Sequence, residues 1–474
     1  MTETQPFENV QRIVLCGKVW EAARHLVLSF PQGSRPLGFL CGLKTKNLWP
    51  TPARMPESRV QVSLGFSRRG LERALVPLNV LARLALKAPA FSAGAALRAN
   101  SQLGASGCNV PDAWDKAFGF MTLDAVLSLH GMSAKALECA VAAVREVAKA
   151  NEVLVEELPE AGRLKPPPDV KPDRRRDRQA QWVHFGYLDG LARVGIEGWT
   201  KPHRLEKYKP TSRYPAGEFV LGYAQKSGAN PWIADYGLRV WPENLRAFFL
   251  DSSFGVLHQI EQDVAAFESF VAEKAQALGA QAQWRDWVKA KLCGRYPDGR
   301  RLADKTASPN ADFDYANDPE GTACPFGSHV RRMNPRGGSL AHSGRPRPLL
   351  RRGMPYGIEW TGTEADGQQR GLIGHFFCAS IEDQFEHVLG EWAERVPLGS
   401  EDRGQARDPL IGAHEHGDGA LEIPRPGGQA SLMLKGLHPF TRTRGTAYLF
   451  YPSLLALQGI AEESFWGALS EDDE

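Results

Sequence analysis

The spacing of apolar and polar residues changes period several times along the chain. Residues 60–66 (VQVSLGF) alternate, with Val60, Val62, Leu64 and Phe66 on one side, which predicts a half-buried strand. Ser67 then stands as N-cap of a helix running through Leu71 and Leu75. Residues 133–150 open on Ser133, and Leu137, Val141, Val144 and Ala148 recur at helical spacing. A strand is predicted at 218–224 (EFVLGYA), and a helix at 262–278 with Val264, Phe267, Val271 and Leu278 in one stripe. A loop-rich stretch covers 294–357. The strand at 371–380 (GLIGHFFCAS) runs into a helix at 381–393, and a last strand is predicted at 445–453 (GTAYLFYPS). Both halves therefore mix strands and helices, an α+β pattern. No short-period repeat is present.

Between the halves the composition breaks. The stretch RLKPPPDVKPDRRRDRQA (163–180) is rich in Pro, Arg and Asp, cannot bury a core, and reads as an exposed connector. This divides the chain into an N-terminal domain (1–163), a linker (164–181) and a C-terminal domain (182–474). The linker arginines could meet a phosphate or an acidic partner, but a solvated connector is the commoner use of such a run. A length of 474 residues is itself too great for one small core and suggests about two or three domains.

Charge and cysteine use exclude several classes. A formal net charge of +2 does not build a nucleic-acid binder by charge. No run of apolar residues is long enough for a membrane span, and the first residues (MTETQPFENVQRIVLCGKVW) lack the basic and apolar regions of a signal peptide. The 7 cysteines are scattered, odd in number and never spaced CxxC. That argues against a disulfide framework or a zinc site and for a reducing, cytoplasmic setting.

The candidate chemistry begins in the loop DPEGTACPFGSHVRRMNPR (318–336). Its Gly and Pro content suits neither a strand nor a helix. Pro325 and Pro335 stiffen it, and Arg331, Arg332 and Arg336 can pair with carboxylates in bidentate fashion. A single histidine, His329, has no partner ligand at zinc-like spacing. A lone imidazole suits a haem iron, because the porphyrin supplies four ligands, and the arginines suit the propionates. Cys324 is a rival iron ligand as a thiolate, although a small buried residue before a turn is the plainer reading. In FGYLDG (185–190), Gly186 and Gly190 let the backbone present Asp189 to a ligand, or simply make a turn. RRGMPYG (351–357) is a basic segment ending in a Pro/Gly turn, equally readable as a surface basic pair.

Together these pieces resemble the dye-decolorizing (DyP-type) haem peroxidases along most of the chain. The matching segments are VSLGFSRRGLERAL (62–75), FGYLDG (185–190), PAGEFVLGY (215–223), FGVLHQIEQDVAAFESFV (254–271), GRYPDG (294–299), FDYANDPEGTACPFGSHVRRMNPR (313–336), RRGMPYG (351–357), GLIGHFFCASIEDQFEHVLGEW (371–392) and RTRGTAYLFYPS (442–453). The resemblance implies two ferredoxin-like α+β halves, antiparallel sheets with packed helices, with haem b (iron protoporphyrin IX) in the C-terminal half. By motif, His329 matches the proximal iron ligand, Asp189 the distal acid/base and Arg351 the distal arginine, with Arg352 one position out of register. Arg331 and Arg332 are expected at the cofactor. The family's acid behind the proximal histidine falls first on Asp408, in DPLIG, and second on Asp383. One departure is LARVGIEG after FGYLDG, where many relatives carry Ile-Ser and a proline.

The implied reaction is reduction of hydrogen peroxide followed by one-electron oxidation of dyes or phenolic and aromatic donors. Electrons from bulky donors would enter through surface Trp or Tyr, and 12 Trp and 10 Tyr give no choice among them. The expected partners are peroxide and such donors, with no nucleic acid and no membrane, and a homo-oligomer stays open. Three alternatives remain at this point: a haem carrier or storage protein, a cofactor-free scaffold, and a haem enzyme acting on another oxidant such as chlorite.

Overall fold

The computed structural model describes residues 6–17, 20–55, 59–119, 122–167, 180–232, 234–235, 239–279, 281–303, 314–336, 346–362, 364–395, 407–415 and 417–463. Most of the linker, 168–179, lies outside them. The fold is α+β. Its central strands are β1 (Ala22–Ser29), β2 (Val60–Phe66), β3 (Ala125–Gly131), β4 (Ala161–Gly162), β5 (Ser253–Gln262), β6 (Leu350–Tyr356), β7 (Gly371–Cys378) and β8 (Thr441–Tyr451). They form an antiparallel sheet that closes on itself in the order β3–β2–β8–β5–β7–β6–β4–β1 and back to β3. Residues 154–157 extend the ring beside β4, on the other end of β1.

Closure gives each strand two buried faces, one toward the lumen and one toward an outer cover. The lumen holds Ala23, Val27, Val126, Leu257, Ile373, Phe377 and Leu449. Outside the N-terminal half, Leu26, Leu64 and Leu127 pack under α1 (Ala134–Ala150), whose Leu137, Val141 and Val144 form its buried stripe. Outside the C-terminal half stand α2 (Val264–Leu278) and α3 (Ala282–Cys293), which share a separate core containing Phe267, Val271, Val288 and Leu292. Among the described residues no helix is long and apolar enough to cross a membrane.

Several elements follow the local signals closely. The strand at 60–66 is present, and Ser67 caps the next helix by accepting from the Gly70 N–H at 3.0 Å. That helix ends at Arg73, because Leu75 sits in the left-handed region at φ +60°. Ser133 caps α1 as expected. Three expectations are corrected. Residues 218–224 are turns: Phe219, Val220 and Leu221 are buried, but Leu221 donates to the Ser252 carbonyl and Gly222 reverses the chain at φ +87°. The strand begins instead at Ser253. The stretch 294–357 contains β6, which a basic, proline-bearing sequence conceals. The histidine loop also holds one helical turn, α4 (His329–Met333).

The ring has two thin seams. Strands β8 and β2 meet at one register pair, Phe450 with Phe66, and β6 meets β4 at Tyr356 with Ala161. At the first seam a side chain stands in for missing ladder bonds. Buried Gln11 accepts from the Leu64 N–H (2.9 Å) and donates to the carbonyls of Leu64 (2.8 Å) and Pro452 (3.0 Å). Gln11→Ala is expected to lower the unfolding free energy by about 1–3 kcal/mol for each backbone group left without a partner. Urea unfolding of the variant against the parent checks this, and an unchanged midpoint would contradict the role.

Candidate functional site

A cavity of about 490 Å³ lies between the outer face of the C-terminal strands and the α2–α3 cover. Its wall on the sheet side is set by alternation. On β5, His258 and Ile260 face the cavity while Leu257 faces the lumen; on β7, Leu372 and Phe376 face the cavity while Ile373 and Phe377 face the lumen. On β6 the same rule separates two adjacent arginines. Arg351 lines the cavity. Arg352 turns inward, where its guanidinium donates to the Ile13 carbonyl (3.0 Å) and the Val14 carbonyl (2.9 Å). Burial lowers the Arg352 pKa to about 10, still a cation at neutral pH.

FGYLDG is fastened from both sides. Phe185 stacks on Phe267 of α2 with ring centroids 4.4 Å apart, and the Tyr187 hydroxyl donates to the Lys289 carbonyl of α3 at 2.8 Å. Asp189 then pairs in register with Gln181, and Gly190 follows at φ +85°. The Asp189 carboxylate enters the cavity 4.0 Å from the Arg351 guanidinium, with both side chains about half exposed, at 42% and 45%.

His329 is presented by a tied loop. The Ser328 hydroxyl donates to the Lys291 carbonyl of α3 at 2.6 Å. Asp318 gathers the backbone N–H groups of Ala323 and Cys324 and the guanidinium of Arg331. Arg331 is buried, lies 4.3 Å over the rings of Tyr315 and Phe326, and does not line the cavity. Arg332 is buried too and donates to the Trp392 carbonyl at 2.7 Å. Both arginines, expected at a cofactor, are thus turned into the loop and its neighbouring helix. The cavity cations are Arg193, Lys226, Arg295, Arg336, Arg347 and Arg351. Cys324 also lies off the cavity wall, and burial holds its thiol up at about 11, so it is not a thiolate.

Behind His329 stands Asp408. His329 Nδ1 lies 2.9 Å from Asp408 Oδ2, and the carboxylate is fully buried. Its Oδ1 accepts from the N–H groups of Leu410 (2.9 Å) and Ile411 (3.0 Å). Burial pushes the Asp408 pKa up. The charges of His329 and Arg332 and these hydrogen bonds outweigh burial and hold it below its usual value. An ionised carboxylate can only accept, so Nδ1 carries a proton, and in the neutral imidazole the lone pair then lies on Nε2. Asp383, the second choice for this place, is mostly exposed and pairs with Arg347 at 3.2 Å.

Two wall residues escaped the sequence reading. His258, which burial lowers to about 4, contacts the Thr446 hydroxyl at 2.8 Å. Glu394, raised by burial to about 7, accepts from the Ala413 N–H at 3.1 Å and so braces the Asp408 loop. Alternation along a strand could have found His258. Nothing local marks Glu394.

These residues fit a haem. Among the described residues no three His, Cys, Asp or Glu side chains gather to hold a bare metal ion. One imidazole with its Nδ1 fixed suits a metal that brings its own equatorial ligands. The wall is largely apolar, with Leu372, Phe376, Phe385 and Leu389, and its arginines match carboxylate substituents.

No protein-family model matches the chain. It is 26% identical over 433 residues to a dye-decolorizing peroxidase of Mycetinis scorodonius, covering 84% of this chain and 76% of that one. It is 29% identical over 228 residues to a multifunctional dye peroxidase of an Amycolatopsis strain, covering 44% and 48%. Among solved structures it resembles a DyP-type peroxidase of Auricularia auricula-judae, with TM-score 0.75, 20% identity and coverage of 97% and 100%. A dye-decolorizing peroxidase in complex with cyanide gives TM-score 0.76, 22% identity and coverage of 96% and 99%.

The two arginines of β6 should behave oppositely. Arg351→Leu is expected to leave stability within about 0.5 kcal/mol, as for an exposed side chain. Arg352→Met leaves the Ile13 and Val14 carbonyls unpaired and should cost about 1–3 kcal/mol or more. Thermal and urea unfolding of the pair decide it, and equal losses would overturn the assignment of faces.

Proposed function

We propose that this chain, which resembles the DyP-type peroxidases in sequence and shares their fold, is a haem peroxidase with His329 as proximal ligand of haem b and Asp189 and Arg351 as its peroxide-handling pair. The observation that carries the reading is the convergence on one cavity of His329, backed by a buried carboxylate, with an Asp–Arg pair from two other segments. Bound haem would supply the redox centre at which peroxide is reduced and from which an aromatic donor is oxidised in one-electron steps.

The protein's own groups then divide the work. Asp408 keeps the proton on His329 Nδ1, which leaves Nε2 as ligand and makes the imidazole a stronger donor. The Asp189 carboxylate takes a proton from the near oxygen of peroxide and returns it to the far oxygen, which leaves as water. The Arg351 guanidinium stabilises the negative charge that grows on the departing oxygen. Arg295, Arg336 and Arg347 suit the propionates better than Arg331 and Arg332, because the first three line the cavity and the other two do not. All 7 cysteines are free, which supports the cytoplasm as the setting.

Three variants test this. His329→Ala is expected to lose the haem absorption band of protein expressed with added haem. Asp189→Asn and Arg351→Leu should keep the band but slow its response to one equivalent of peroxide by about 10²–10⁴-fold. Unchanged peroxide reactivity in both would favour a haem carrier instead.

Asp408→Asn should keep the fold and cost about 10–100-fold in haem affinity or activity. Because the Asp408 pKa is held low, the native contact is fully present above pH ~3.9 and is lost only as pH falls through the lowered value. A His–iron vibrational frequency that is the same in the Asp408→Asn variant and the parent protein would remove Asp408 from this role.

A further inference from the structure

The barrel lumen carries a cluster that the peroxide chemistry leaves unused. His25 on β1, His130 on β3 and His375 on β7 all point into it. Their ring centroids are 5.6 Å (His25–His130), 5.2 Å (His25–His375) and 6.4 Å (His130–His375) apart. Strands β1 and β3 are neighbours, but β7 is on the other side of the ring, so the rings join facing walls. The Ser128 hydroxyl sits between two of them, 2.9 Å from His25 Nδ1 and 3.3 Å from His375 Nε2. The three side chains are 1%, 5% and 1% exposed, and Nδ1 of both His130 and His375 has no hydrogen-bond partner.

Among the described residues, the surrounding elements bring no negative charge to the rings. Strand β2 contributes Gln61 and Ser63, β5 contributes Gln259, and β8 contributes Tyr451, all neutral at ordinary pH. Strand β6 contributes the Arg352 cation, which is the register partner of His375. The N-terminal segment contributes Gln11 and Cys16, whose thiol burial pushes up. At the rim beyond Gln259, Asp115 and Glu261 are both engaged by Arg444. A proton arriving on one imidazole therefore meets two further imidazoles and a guanidinium, with no carboxylate to hold it.

We propose that the His25–His130–His375 cluster is an acid-sensitive lock on the barrel, packed when its rings are neutral and loosened when one is protonated. Acid is then sensed in the lumen, apart from the haem cavity on the outer face. The direction of titration agrees. Burial lowers His130 to about 4 and, with the His130 charge, His375 to about 3; burial and the other two rings put His25 well below its ordinary value. Unfolded, each ring titrates near ~6.5, so between there and the folded values the unfolded chain binds more protons. Stability is full above pH ~6.5, falls as the pH drops, and levels off only once the folded rings protonate. The lower pH limit of the enzyme is thus set by its barrel.

The test is urea unfolding of the holoprotein at pH values from about 7.5 to about 5, followed by far-UV circular dichroism. His25→Gln, His130→Gln and His375→Gln should each reduce the slope of stability against pH by about one proton. Hydrogen exchange on the parent protein needs no variant, so it decides even if a substitution blocks folding. On acidification, amides of β1, β3 and β7 should open more than those of α2 and α3. Unchanged slopes in all three variants would overturn the proposal. So would acid-induced opening confined to α2, α3 and the His329 loop, which would place the sensor at the cavity.

Discussion

Once the strands close into a ring, every side chain on them has two destinations, the lumen or an outer cover. That constraint organises the rest of the molecule. It sends Arg351 to the cavity and Arg352 to the carbonyls of Ile13 and Val14, although the two are adjacent in sequence and identical in chemistry. It places His258 and Phe376 on the cavity wall while His375 and Phe377 face inward. A register slip of one residue on β6 would exchange the cavity-lining guanidinium for the inward one.

Closure also explains why the site can be assembled from loops without being loose. The segments bearing Asp189, His329 and Asp408 contribute little to the main ladder, yet each is tied to a rigid element. Asp189 is held through Phe185 and Tyr187 on α2 and α3, and His329 through Ser328 on α3. Asp408 is held by its N–H on the Ala393 carbonyl, at the end of the Ile381–Ala393 helix. Each buried charge is compensated where it lies: Asp408 by His329 and two N–H groups, and Arg331 by Asp318 and two carbonyls. Buried charges arranged this way cannot swing toward a ligand without stranding their partners. That is why Arg331 serves the loop and Arg332 the end of the neighbouring helix.

The two polar assemblies of the molecule are built on opposite electrostatic principles. In the outer cavity a histidine has a buried carboxylate, and an aspartate has an arginine across from it. In the lumen, among the described residues, three histidines have only neutral groups and a cation around them. The same residue type is therefore fixed in orientation at one place and kept neutral at the other, and the difference is the presence or absence of one carboxylate.

The sequence alone determined what depends on neighbours in the chain. The alternation of 60–66, the caps at Ser67 and Ser133, the stripes of α1 and α2, and the strand-to-helix passage at 371–393 are all local consequences of spacing and side-chain size. The motif segments carried Asp189, His329 and Arg351, and the DPLIG segment offered Asp408 ahead of Asp383. Tertiary structure decided what depends on distant partners. Phe219–Leu221 are as apolar as a strand but turn, because the ladder beside them is taken by β5 and not by them. Strand β6 forms from an unpromising basic sequence because β7 offers a full register of partners. The ring closure, the inward and outward arginines, Glu394 beneath the Asp408 loop and the three histidines of the lumen all involve residues far apart in the chain. Their meeting is fixed by packing and charge compensation in three dimensions, which leave no mark on the spacing of any one segment.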